Sequence, residues 1–369
     1  MSCVIEINDI EQLDAYRLTW KSLLLKTRGA SFFHSLEWLE VYWRHFGEGQ
    51  KLRVLIIQSD GETIGIVPLT VRTEKSKVGS LRTLTYPLAD WGTFFGPLGP
   101  DVRGTLQVAM QYIRRTTRDW DVIALRWVNN DHRDHRRTEM SMKAAGFQAH
   151  RVAMKGVGMI DLREGWDTYW SSRTSKWRNN VRRNERRANE CGKISFVRHR
   201  PEGSAFGDDD PRWDLYDAIV EIAASSWQHN STNGTTVSSE EIRAYLRDAH
   251  QVAAKAGALD MSLLLVDDQP IAFTYNYHYA GCVQGLRMGT DAERAFEGAG
   301  TVLMRHMLED GAERGDQIYD TGAGSLECKM RWLSHIETQY RYMHYPVAVL
   351  RTQVIRAKRW LGQRTAASA

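Results

Sequence analysis

The 369-residue chain has only four cysteines, Cys3, Cys191, Cys282 and Cys328, and no two stand in a C-x-x-C spacing. That excludes a cysteine-built zinc site and a disulfide framework, and it points to a reducing compartment. No apolar run is long enough to span a bilayer. The opening MSCVIEINDIEQLD carries acids where a secretory signal needs a basic cap and an apolar run, so the expected location is cytoplasmic. No stretch has a disordered composition, and the length allows two domains that each bury a core. Net charge is small, +4, yet unevenly placed. Residues 172–200 hold ten Lys or Arg against Glu185 and Glu190, an excess larger than that of the whole chain. Either this is a solvated helix face or its partner is anionic.

What is present is an alternation of helix and strand signals. SLEWLEVYWRHFG, at 35–47, puts Leu36, Trp38, Leu39, Val41, Tyr42, Trp43 and Phe46 on a broad apolar side of one helix. LRVLIIQ and TIGIVPLTV follow as strands joined at Ser59-Asp60-Gly61, and DVIALRWV at 121–128 is a further strand. The second half repeats this logic, with MSLLLVDDQPIAFTYNYHY at 261–279 reading as strand, turn, strand. LIIQSDGETIGI and LLLVDDQPIAF align with one gap, a weak internal echo that suggests two copies of one α/β unit. Between them, WDLYDAIVEIAASSW has helical spacing, and Ser238 with Glu241 stands in capping-box positions for the next helix. The segment at 203–211 reads as an exposed loop.

GAGTVLMRHMLEDGAERG, at 298–315, follows the strand-like GCVQGLRMG and precedes DQIYDTGAG. A helix N-terminus has unsatisfied N–H groups and partial positive charge, so Gly298, Ala299, Gly300 and Thr301 suit a pyrophosphate. The same glycines suit a tight turn into a packed helix equally well. A Rossmann fingerprint is excluded because Leu303 stands where its third glycine belongs. A P-loop is excluded because no lysine follows Gly300. Coenzyme A binding is the remaining use of a strand–turn–helix of this kind.

The order of these motifs resembles the GNAT acyltransferase superfamily. More closely, it resembles the FemAB-like branch that includes acetyltransferases associated with cellulose and exopolysaccharide synthesis. The resemblance rests on SSRTSKWRNNVRRNERRANECG, the hairpin DDQPIAFTYNY, the glycine-led helix, and YDTGAGSLECKMRW with its Asp-x-Gly-x-Gly…Lys-x-x-Trp pattern. FFHSLEWLEVYW and ETIGIVPLTVR resemble the first half of the same proteins, so the likeness runs over roughly 30–345. One position departs: the basic residue three before the first glycine is Ala295 here, with Arg294 one place early.

The resemblance implies two GNAT-like α/β lobes in tandem, each a mixed twisted sheet flanked by helices. It places them at 1–160 and 161–350, with a basic amphipathic tail at 351–369 that could touch a membrane surface. The implied activity is transfer of an acyl group, most simply acetyl, from acyl-CoA to an amino or hydroxyl group of a sugar or cell-envelope precursor. The acceptor attacks directly, and no metal is expected. Arg287, Gly298, Ala299, Gly300 and Thr301 would hold the donor, and Asp320 and Lys329 would carry the chemistry. From the residues alone, Asp320 reads rather as a cap or brace for the glycine loop. Arg178, Arg182, Arg186, Trp227 and Trp332 are the candidates for binding the acceptor, with core packing the alternative for Trp332. Residues 173–200 leave contact with anionic lipid or tRNA open, since some FemAB relatives draw on aminoacyl-tRNA, and with it two alternative functions, aminoacyl-tRNA-dependent transfer to a peptidoglycan precursor and a non-catalytic polyanion-binding module; DNA is not expected, and the lack of aromatics among the arginines beyond Trp177 weakens a single-strand nucleic-acid reading. His278 and His306 read as isolated.

Overall fold

The structure, a computed structural model, describes residues 2–87, 95–226 and 236–357. In chain order the first elements are β1 (Ser2–Ile7), α1 (Arg17–Lys26), α2 (Leu36–Phe46), β2 (Lys51–Ser59), β3 (Glu62–Ser76), β4 (Gly79–Thr85), α3 (Val102–Arg115), β5 (Val122–Asn129), α4 (Arg137–Ala144) and β6 (His150–Asp161). They are followed by α5 (Gly165–Ser171), α6 (Ser175–Cys191), β7 (Ile194–His199), α7 (Trp213–Ser225), α8 (Arg243–Lys255), β8 (Leu259–Val266) and β9 (Gln269–Tyr279). The last are β10 (Cys282–Thr290), α9 (Ala299–Glu313), β11 (Ile318–Asp320) and β12 (His335–His344). Two compact units result. The first takes in residues 1–89, 93–155 and 338–369, and the second residues 156–337.

The first unit is a mixed sheet in the order β1-β2-β3-β4-β5-β12, antiparallel except for the parallel pair β4–β5. Its helices start where side-chain caps allow. Ser35 accepts the Trp38 N–H at 3.1 Å to open α2, and Asp101 accepts the Gly104 N–H at 2.9 Å to open α3. Leu36, Trp38, Leu39, Val41 and Tyr42 of α2 are buried as their spacing requires, while Trp43 and Phe46 are half-buried at its edge. Residues 350–357 are helical, with Val347, Leu350 and Val354 exposed; the rest of the basic tail lies outside the described residues.

The second unit is a sheet in the order β6-β11-β10-β9-β8-β7, mixed because β11 runs parallel to β10 and antiparallel to β6. The fold is the expected one, α/β with mixed sheets flanked by helices. The internal echo has a physical basis. Both hairpins close through two residues with positive φ, Asp60 and Gly61 between β2 and β3, and Asp267 and Asp268 between β8 and β9. That backbone matches the right-handed twist of the strands. One boundary differs from the sequence reading. Ser238 and Glu241 do not box the N-terminus of α8, which starts at Arg243 after a 3₁₀ turn, Glu240–Ile242. The Ser238 hydroxyl is engaged locally with Thr236 Oγ1 at 3.1 Å, so it is not aimed at a helix.

Candidate functional site

The centre of the second unit is the point where β10 and β11 part. They pair for only three residues, Cys282 with Ile318, Val283 with Tyr319, and Gln284 with Asp320, after which β11 ends. β10 continues to Thr290, held from there by β9 alone, with a register shift between Gly285 and Arg287. A bulge of this kind bends a strand and leaves backbone groups unpaired. The result is a notch whose wall is a sheet edge. Gly322 turns the chain back across it at φ +73°, where a Cβ would stand 2.4 Å from the Gly285 carbonyl oxygen, so only glycine fits.

Three charged side chains converge on this notch from different elements: Arg287 on β10, Asp320 at the end of β11, and Lys329 on the turn that follows. Asp320 is buried, and its Oδ1 accepts the Gly322 N–H at 2.9 Å, which fixes the turn. The half-buried Lys329 donates through Nζ to the Thr321 carbonyl. Burial pushes the Lys329 ammonium below its ordinary value, the nearby Arg287 adds to the shift, and Asp320 opposes it. Burial likewise pushes Arg287 down to about 10, with Tyr245 opposing. Two cations held out of water near one carboxylate favour a further negative charge. Gln284 adds an acceptor: its Oε1 is buried with no hydrogen-bond partner among the described residues.

The glycine turn lies along the free end of β10. Gly298 caps α9 at φ +100°, and a Cβ there would fall 2.5 Å from the Asn184 carboxamide on α6. At Gly300 a Cβ would approach the Met288 methyl to 3.2 Å and Thr290 Cγ2 to 3.5 Å. The turn satisfies much of itself: Ala299 N–H donates to Phe296 O, and Thr301 and Val302 N–H both donate to Gly298 O. Among the described residues the Gly300 N–H has no acceptor within the turn. The cradle is thus narrower than a full row of free helix donors, and α6 packs against one side of it. Arg294 is committed elsewhere, to Asp291 at 3.1 Å and Glu221 at 2.8 Å.

The basic segment divides into parts. Arg173 donates to the carbonyls of Trp332 and Leu333, and Arg178 to those of Ser171 and Arg173 at 2.6 and 2.7 Å, closing the end of α5. Arg187 pairs with Glu297 at 2.8 Å. The side chains of Arg198 and Arg200 are almost wholly covered in a network with the buried Asp260 and Asp316, which also reaches Asp310 and His278. Burial works to raise the Asp260 carboxyl, and Arg198 and Arg200 outweigh it, holding the group well below the usual range. Arg182, Arg183 and Arg186 remain exposed on α6, with no carboxylate partner among the described residues. They lie opposite the face of α6 that buries Trp177, Val181, Asn184 and Ala188. Trp332 is buried, its ring 5.3 Å from Trp177 in an edge contact and stacked on Trp170 at 6.2 Å. Trp227 lies outside the described residues.

Several of these residues were not singled out in the sequence: Asn184, Gln284, Tyr245 and the Arg198–Asp260 network. Only Asn184 left a trace, as a polar residue on the narrow apolar seam of a basic helix. His278 is not isolated, since its Nε2 lies 3.4 Å from Asp316; His306 stacks on Phe196 with ring centroids 5.6 Å apart.

Comparison with known proteins agrees with this geometry. Residues 175–330 match the family model described as "Acetyltransferase (GNAT) domain". No curated protein matches the chain. Among solved structures the chain is similar to FemX, at 10% identity over 96% of this chain and 99% of that one, with a TM-score of 0.61. It is also similar to L-PGS from Bacillus licheniformis, at 14% identity over 95% and 97% of the two chains, TM-score 0.53. A tandem GNAT protein from the clavulanic acid biosynthesis pathway aligns at 11% identity over 94% and 98%, TM-score 0.50. Identities this low speak to fold alone. Over residues 175–330, less than half of its length, the chain is thus similar to an acetyltransferase (GNAT) domain.

Proposed function

We propose that the chain transfers an acyl group, most simply acetyl, from acyl-CoA to an amino or hydroxyl group of a sugar or envelope precursor, as in the FemAB-like, exopolysaccharide-associated branch. The single observation that carries this reading is the parting of β10 from β11 at Gln284 and Asp320, beside a glycine-led helix. An acyl-pantetheine arm is an extended amide chain, and an unpaired sheet edge offers it strand-like hydrogen bonds. The residues fit the donor: an open β10 edge, the Gly300 N–H, the acceptor Gln284 Oε1, and two desolvated cations. Gly298, Ala299, Gly300 and Thr301 would take the phosphates.

In the reaction the acceptor's nitrogen or oxygen attacks the thioester carbonyl. The new bond forms, the carbon–sulfur bond breaks, and the departing thiolate takes up a proton. Lys329 and Arg287 would oppose negative charge developing on the carbonyl oxygen. Asp320 is the carboxylate that would receive the acceptor's proton, a task usually worth about 10²–10⁴ in rate. A bracing role alone is distinguishable, because Asp320→Asn keeps an oxygen for the Gly322 N–H and loses only the base. The expected outcome is loss of thiol release from acetyl-CoA, across a panel of amino sugars, by about 100-fold with an unchanged melting temperature. Activity near that of the unaltered enzyme would leave Asp320 as a brace.

The exposed arginines of α6 favour a second element in the reading, an anionic acceptor or carrier such as a lipid-linked sugar or an RNA, met by Arg182 and Arg186.

A further inference from the structure

The first unit contains a cavity of about 230 Å³ between the end of α3, the segment leading into β5, and the residues after β12. Its walls are chemically one-sided. Ile113, Trp120, Phe147 and His344 supply apolar and aromatic surface, and Arg114 and Arg118 stand at the rim. The Arg114 guanidinium lies 5.8 Å from the Phe147 ring centre, and that of Arg118 lies 5.9 Å from Trp120. Trp120, Phe147 and His344 form a three-ring cluster with centroids 4.9 to 6.1 Å apart.

Both charged groups at the rim are donors. Arg114 and Arg118 are exposed and make no ion pair among the described residues. The two nearby acids are already taken: Asp119 by Lys51 and Arg53 at 2.6 and 3.0 Å, and Asp121 by Arg82 at 3.0 Å. Trp120 is 3% exposed, and its indole N–H, shielded from solvent, has no acceptor among the described residues. His344 accepts the Gln148 N–H on Nδ1 at 3.0 Å, which places its own proton on Nε2. Burial, with Arg114, His150 and Arg356 facing it, pushes the His344 imidazolium down to about 4, so the ring is neutral at neutral pH.

We infer that this cavity is a binding site for a small oxyanion carried on a flat apolar body, an aromatic carboxylate or aryl phosphate of about ten non-hydrogen atoms. The size follows from the volume, which corresponds to roughly seven waters. The charge follows from the two guanidiniums at the rim; of the acids near them, Asp121 also faces Arg118 but is paired with Arg82, and Asp119 is paired with Lys51 and Arg53. The flat body follows from the rings of Trp120, Phe147 and His344, which offer a stacking surface. The inference is independent of the acyl-transfer reading, since none of these residues belongs to the second unit.

The test is calorimetric titration of the full chain with phenyl phosphate, with benzoate, and with inorganic phosphate and phenol as the two halves of the probe. The expected result is saturable binding of one phenyl phosphate or benzoate per chain, about tenfold tighter than either half. Arg114→Gln with Arg118→Gln weakens it by about tenfold or more, at an unchanged melting temperature because both side chains are exposed. No saturable heat from phenyl phosphate or benzoate, or equal binding by the double arginine variant, overturns the site. Inorganic phosphate binding as tightly as phenyl phosphate overturns the flat body.

Discussion

Gly298 combines two constraints that are separable by experiment. Its φ of +100° penalises any L side chain, and its missing Cβ leaves room for the Asn184 carboxamide. Gly315 has a similar φ, +86°, but open space around it. Gly298→Ala is therefore expected to cost about 1–3 kcal/mol and more than Gly315→Ala, read as the shift in urea midpoint. The double change Gly298→Ala with Asn184→Ala is expected to cost less than the two single costs combined, because the clash is shared. Additive costs would mean that Asn184 does not press on this turn. At this scale the sequence was informative about glycines, because the positions that need positive φ or close approach restrict residue type locally. It was silent about Asn184, Gln284 and Tyr245, polar residues whose place near the site depends on neighbours distant in the chain.

The element α6 shows how one helix carries two kinds of arginine. Arg178 and Arg187 are tied to backbone carbonyls or to Glu297, whereas Arg182 and Arg186 extend from the face away from α9. Arg182→Gln with Arg186→Gln is expected to leave the melting temperature within about 2 °C and acetyl-CoA affinity unchanged, since exposed substitutions move stability by only a few tenths of a kcal/mol. The same variant is expected to lower the salt dependence of retention on a polyanion column by about two charges. A fall in acetyl-CoA affinity would instead place these arginines on the donor. Element reading from sequence succeeded where the chemistry is local, as at the turns Asp60-Gly61 and Asp267-Asp268. It failed at the start of α8, where a Ser…Glu spacing mimics a cap while Ser238 bonds to Thr236. It also passed over β1, whose Glu6 is matched to the buried Arg53 at 2.7 Å, a partner supplied 47 residues later.

Across the whole molecule, the order of motifs was legible and the distribution of buried charge was not. Arg198 and Arg200 counted as surface charge in the sequence, but their partners Asp260 and Asp316 meet them only through the β7–β8 pairing and the packing of α9. The buried histidines give a consequence for the molecule as a whole. Burial, helped by Arg133 and Arg137, pushes His34 down to about 3; burial pushes His250 to about 4, with the Pro211 carbonyl opposing. His344 follows them, and an unfolded histidine titrates near about 6.5. The folded state thus binds fewer protons than the unfolded state as pH falls through about 6.5, and stability drops until about pH 4. Urea midpoints are expected to decline steadily between about pH 7.5 and about pH 4.5, and His250→Gln to make that decline shallower by up to one proton. A flat profile would contradict the neutral, buried state of these rings.

The measurement that bears most directly on the central claim is calorimetric titration with acetyl-CoA, of the unaltered chain and of Gly300→Glu, each shown to be folded by its melting curve. The expected result is saturable binding of one acetyl-CoA per chain and its loss in Gly300→Glu, where a carboxylate would stand beside the turn proposed for the phosphates. Absence of binding by the folded, unaltered chain would contradict donor use of the β10–β11 notch. Equal binding by the folded variant would leave Gly298 and Gly300 as a packed turn and move the phosphates elsewhere.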